Sequence, residues 1–201
     1  MSFNEHDHDI FYSIGTGGSF IDCIFLFYFY FKTKKYINAE LEEKFLKMEK
    51  AGCCHEGSLS RHYHNINDLE LLNPNKKNIA INFSLKDIEF IFEMAYAKLF
   101  LQEPEKIDEF LSDSKFNKNS AIKEKLLKNL VKKKFHSWII DWQENFDFSK
   151  MSIVIDFDTI YGRNNIDLHD FLVDFLKVEK QIEVSNYIKR YQETNSKYFN
   201  T

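Results

Sequence analysis

Residues 78 to 101 read NIAINFSLKDIEFIFEMAYAKLFL. The stretch NIAINF alternates apolar and polar at period two, the pattern of a half-buried strand. Ser84 and Asp87 then stand three apart in a capping arrangement, and Ile88, Ile91, Phe92, Ala95 and Leu99 recur at helical spacing. The spacing therefore predicts a strand at 79–83 that runs directly into a helix over 84–101. Pro104 stops that helix and opens a short second one, PEKIDEFLSDS.

The same order of elements returns near the end of the chain. MSIVIDFDTI (151–160) alternates, with Ile153, Ile155 and Phe157 on one side and Val154, Asp156 and Asp158 on the other. One long amphipathic helix or two, over 166–192, follows it. The two strand–helix segments match too loosely to form a repeat. Elsewhere, residues 1 to 10 are polar and read as an N-terminal arm. Ser19, with Asp22 three residues on, predicts a capped, buried helix over 19–32, although the alternation of Phe25, Phe27, Phe29 and Phe31 would also suit a strand. AELEEKFLKMEK (39–50) predicts a half-exposed helix, and 52–78 a loop with one short strand. The expected fold is a helix-rich single α+β domain over 1–201, with a small sheet, long amphipathic helices and possible sub-lobes at 9–112 and 113–201. Strands near 79–83 and 152–158 would form its core, covered by the helices at 19–32, 84–101 and 166–192.

Composition narrows the class further. Two prolines, six glycines and 21 phenylalanines in 201 residues describe a compact chain with an aromatic core. Three cysteines, two of them adjacent, exclude a disulfide framework, and no signal-like segment opens the chain, so a cytoplasmic location is expected. The most apolar run, Phe20 to Phe31, contains Asp22 and falls well short of the roughly 20 residues a membrane span needs. Charge is segregated. The tract KFNKNSAIKEKLLKNLVKKKFH (115–136) holds eight lysines and one acid, which leaves 19 basic against 30 acidic residues elsewhere.

Four constellations invite a chemical reading. GTGGS (15–19) before a helix has the layout of a phosphate loop, yet it lacks the Lys-Ser/Thr step and the GxGxxG spacing, so a tight turn feeding a helix is the plainer account. Cys53, Cys54, His55, Glu56, His62 and His64 include zinc-type ligands, but with no paired CxxC spacing a polar loop is favoured; His6 and His8 on the arm are weaker still. Asp156 and Asp158 would share one face of a strand, as a magnesium-dependent nuclease requires. The lysine tract could grip phosphates, although its apolar stripe of Ile122, Leu126, Leu127, Leu130 and Val131 fits a core helix with a solvated face. No metal or cofactor is expected.

FYSIGTGGSFID (11–22), followed by an apolar helix, resembles the opening of immunity proteins from bacterial contact-dependent growth inhibition systems. The strand, helix, proline-acid step and short helix in IAINFSLKDIEFIFEMAYAKLFLQEPEKIDEFL are similar to that family's organisation. The resemblance covers about residues 9 to 112, and Gly18 is an extra glycine relative to the pattern. It implies a non-catalytic cytoplasmic protein whose partner is the cognate toxin domain of a secreted effector, often a ribonuclease. A net-acidic chain suits a basic partner, and carboxylates can mimic the phosphates a nuclease binds. DWQENFDF (141–148) and DFDTIYGRNNIDLHD (156–170) combine acids with aromatics, which selects Asp141, Glu144, Asp147, Asp156, Asp158 and Tyr161 as candidate toxin contacts. The alternatives are a metal-dependent nucleic-acid-processing enzyme using Asp156 and Asp158, and a small regulatory nucleic-acid binder.

Overall fold

The computed structural model describes residues 8–13, 15–33, 61–63, 66–97, 107, 110, 111 and 124–196. The predicted helix at 39–50 lies outside them. Among the described residues the fold is a helix-rich α+β arrangement around one sheet of four strands: β1 (His8–Phe11), β2 (Arg61–Tyr63), β3 (Lys77–Asn82) and β4 (Ile153–Asp156). Their order is β2-β1-β3-β4, and every ladder is parallel, with Ile10 opposite Ile79 and Ile81 opposite Ile155. Helices among the described residues include α1 (Gly18–Thr33), α2 (Ile88–Ala95), α3 (Glu124–Asn145), α4 (Phe157–Ile160), α5 (Leu168–Leu176) and α6 (Ile182–Ser196). No helix among the described residues is long and apolar enough to cross a membrane.

β3 and α2 follow the sequence pattern closely. Ile79, Ala80 and Ile81 are wholly buried, and Ser84 accepts from the Lys86 amide to start a 3-10 turn (Leu85–Asp87) that leads into α2. Ile91, Phe92, Met94 and Ala95 then form the buried stripe. α1 is a helix, as the capping pattern suggested, and the last segment divides into α5 and α6. Lys177 makes the break: it caps α5 in the left-handed region at φ 57°, while its amide bonds back to the Val173 carbonyl.

Two expectations are corrected. Residues 8–11 do not belong to a polar arm; they form β1, an inner strand of the sheet and buried throughout. The sheet tolerates their polarity because Asp9 meets Lys76 at 2.8 Å and the His8 ring packs 5.0 Å from Phe25 of α1. β4 also ends sooner than 158. Phe157 is buried whether it continues a strand or opens a helix, and the chain takes the second course at α4.

The sheet is covered on both sides, as a parallel sheet must be. On one side His8 meets α1 and α5 through Phe25 and Phe175, while Phe20 of α1 stacks on Tyr191 of α6 at 3.6 Å. On the other side Phe11 lies between Tyr63 (4.6 Å) and Phe146 (6.1 Å), which in turn stacks on Trp142 of α3. α2 joins this second layer through Phe92 and Phe135, 5.6 Å apart. Burial of each such ring contributes roughly 1.5–3 kcal/mol. The β3–β4 ladder crosses the 112/113 boundary of the suggested sub-lobes, so both halves build one sheet.

Candidate functional site

The glycine loop follows β1 and feeds α1, the position at which parallel sheets often hold phosphates. Gly15 and Gly17 both sit at positive φ, +90° and +95°. Their free sides are occupied by protein. A Cβ on Gly15 would lie 2.5 Å from the Ile91 carbonyl oxygen, and one on Gly17 would lie 3.0 Å from Ile160 and near the hydroxyls of Tyr161 and Tyr191. Gly18 packs flat on Tyr12, whose ring would be 2.2 Å from an added methyl. Ser19 does not cap α1. Its hydroxyl meets the Tyr12 hydroxyl at 3.0 Å, and the Gly17 carbonyl accepts from the amides of Phe20 and Ile21 instead. The loop is a close-packed joint.

The carboxyl ends of β3 and β4 differ. Asp156 closes β4 and is exposed; its carboxylate accepts from Asn82 Nδ2 at 3.2 Å, and Asn82 Oδ1 accepts from Gln143 Nε2 of α3 at 3.1 Å. That chain ties three elements together. Asp158 stands in the first turn of α4, so the two aspartates do not share a strand face. It faces Arg163 Nη1 at 3.3 Å and Lys86 Nζ at 3.7 Å. Arg163 also donates to Asp87 at 2.5 Å, and Asp87 is 5% exposed. The guanidinium offsets the cost of burying that carboxylate. Asp87 was legible only as a capping residue; it makes no side-chain cap and serves as the Arg163 acceptor.

No group of three or more His, Cys, Asp or Glu side chains among the described residues is placed to hold a metal ion. Of the cysteine–histidine cluster, Cys53, Cys54, His55, Glu56 and His64 lie outside the described residues, and His62 falls on β2.

Residues 124–136 of the lysine tract fall within α3, and 115–123 lie outside the described residues. Lys128 binds Glu93 at 2.8 Å and Lys132 binds Glu89 at 2.5 Å, both acids on α2, and both ammonium groups lie over the Phe92 ring. Two of the tract's lysines are therefore turned toward a neighbouring helix. At the other end of α3 the sign reverses: Asp141 and Glu144 are exposed in the last turns, where the helix dipole already carries negative charge. Asn145 Nδ2 donates to Asp141 at 2.8 Å. Asp147 caps the next 3-10 turn (Phe148–Lys150), accepting from the Ser149 amide and hydroxyl. The bond from the Ser149 hydroxyl, aided by Lys150, holds its carboxyl below the ordinary value.

Most aromatics of these two runs are withdrawn from this surface, although Phe148 is half-buried. Trp142 and Phe146 point inward, and Tyr161 is 4% exposed, its hydroxyl donating to the Gly15 carbonyl at 3.4 Å and meeting Tyr191 at 3.1 Å. Tyr161 thus belongs to the joint. The structure links Asp156 to the acidic end of α3 through Asn82 and Gln143, and it adds Asn82, Gln143, Arg163 and, in a role other than capping, Asp87. No protein-family model matches the chain, and no curated protein or solved structure matches it either.

Proposed function

We propose that the chain is an immunity-type protein that binds and neutralises a basic toxin domain, a nuclease in the first instance, through the carboxylates at the end of α3 and β4. The observation that carries this reading is the placement of Asp141 and Glu144 at the carbonyl end of α3. Acids there oppose the helix dipole, and beyond the bond that Asp141 accepts from Asn145 they gain no visible structural return, which marks residues kept for another purpose. Asp156, joined to α3 through Asn82 and Gln143, extends the same negative edge. Such an edge attracts a surface built to bind phosphates and speeds its approach. The likeness of FYSIGTGGSFID to the immunity family supports the same reading. Asp158 is engaged by Arg163 and Lys86 and Tyr161 is buried, so the exposed carboxylates of Asp141, Glu144 and Asp156 are the contacts tested first.

The test is co-purification with the toxin domain encoded by a neighbouring effector gene, followed by titration of nuclease inhibition. The Asp141→Lys, Glu144→Lys double variant is expected to bind about 10- to 100-fold more weakly and with a shallower salt dependence. Binding unchanged by this reversal would refute the surface. Intrinsic nuclease activity lost in Asp156→Asn would refute the function.

A further inference from the structure

Three helices meet at a buried histidine. His169, 2% exposed, lies in the first turn of α5, which Asp167 caps by accepting from the Asp170 amide. Its Nε2 is hydrogen-bonded to the Tyr28 hydroxyl of α1, and its Nδ1 lies 2.6 Å from Ser185 Oγ of α6. Ser185 Oγ in turn donates to the Gln181 carbonyl at 3.4 Å.

Counting protons sets the direction of this chain. The Tyr28 hydroxyl is buried, and His169 is its hydrogen-bond partner among the described residues. Burial, with a smaller contribution from Asp170, holds the phenol protonated far above its ordinary range. Tyr28 must therefore donate to Nε2. Nδ1 then carries the ring proton and donates to Ser185, whose own proton goes to Gln181. The opposite tautomer would leave the tyrosine proton buried with no acceptor. This direction also removes Ser185 as a nucleophile, because the imidazole gives it a proton and takes none.

The arrangement holds only while the imidazole is neutral. In the imidazolium both ring nitrogens donate, and the Tyr28 proton loses its acceptor. We propose that Tyr28, His169 and Ser185 form a proton-sensitive latch, closed by neutral His169 to pin α1, α5 and α6 together and opened when that ring takes up a proton. Several groups act on the ring: Tyr28 from α1, Asp167 and Asp170 at the start of α5, Lys180 from the α5–α6 connection, and Ser185 from α6. Lys180 is bonded to Asp170 at 2.5 Å, which offsets part of the pull that acid exerts. Burial first, then Lys180, lowers the His169 pKa below its ordinary 6.5. The unfolded chain therefore binds the proton more readily. The latch stabilises the fold fully above pH 6.5 and is lost as pH falls through the lowered folded value.

The experiment compares urea unfolding of the full chain between pH 8 and pH 5 in the wild type, His169→Gln and Tyr28→Phe, with the histidine ring protons followed by NMR. As pH falls from 6.5 toward the folded pKa, the unfolding constant should rise more steeply in the wild type than in His169→Gln, by at most about tenfold per pH unit. The Tyr28→Phe variant, which keeps the ring and loses the donor, should show a raised His169 pKa. Parallel pH profiles for wild type and His169→Gln, or a wild-type His169 titrating at or above 6.5, would overturn the latch. If His169→Gln fails to fold, the wild-type titration and Tyr28→Phe decide the matter alone.

Discussion

Where β1 ends, the chain turns through Gly15 and Gly17, and the space beside them is filled by Ile91, Ala95, Ile160 and two tyrosine hydroxyls. Where β3 and β4 end, a few residues away in the same sheet, Asp156 is exposed and Asp87, Asp158, Arg163 and Lys86 form a charged group. Ligands of open parallel sheets gather at the carboxyl ends of the strands. Here one part of that edge is sealed by packing and the other is left polar, so the glycine-rich sequence marks the part with no room for a ligand. Glycines at a strand end show only that something approaches the backbone closely; what approaches here is the protein itself.

Substituting the joint should break the sealed side most severely. Gly15→Ala places a methyl against the Ile91 carbonyl at a φ of +90°, and Gly18→Ala drives one into the Tyr12 ring. Each is expected to cost on the order of 4 kcal/mol, read as a fall in the urea midpoint with an unchanged slope. Arg163→Met comes next. It leaves the Asp87 carboxylate buried without its cation, a loss of about 2 kcal/mol once the partial exposure of Arg163 is discounted, and Asp87→Asn added to it should recover part of that loss. The smallest effect sharpens the comparison. Asp141→Lys and Glu144→Lys relieve the clash with the α3 dipole and should raise stability by roughly 0.5 kcal/mol in low salt while weakening partner binding. A region that gains stability and loses binding in one substitution is functional; the joint should never show that combination.

Much of this was legible from the chain. β3 and α2 follow from a switch of period from 2 to 3.6 at Ser84, and the acids at 141, 144 and 156 stand out as carboxylates beside apolar runs. β1 was not, because His8 and Asp9 resemble a solvated arm until Lys76 and Phe25 are brought to them by the fold. Asp158 was misplaced because the alternation through Ile155 and Phe157 continues equally well into a helix turn. Tyr161 looked like a surface aromatic because its hydroxyl partners, Gly15 and Tyr191, lie far off in sequence. The Tyr28–His169 pair spans 141 positions and leaves no local trace at all.

The all-parallel sheet also sets how the chain reaches its fold. Each ladder joins residues far apart, and the last strand bonds to the third across 74 positions, as between Asn82 and Asp156. The entropy of closing these loops must be met before any strand pair rewards it, which places refolding on the millisecond-to-second scale. During synthesis β1 leaves the ribosome long before β3 exists to pair with it, and β3 waits again for β4. The chain must carry an incomplete apolar sheet through most of its own production, with the α1 helix, joined to β1 by the tight glycine turn, as the first cover available to it.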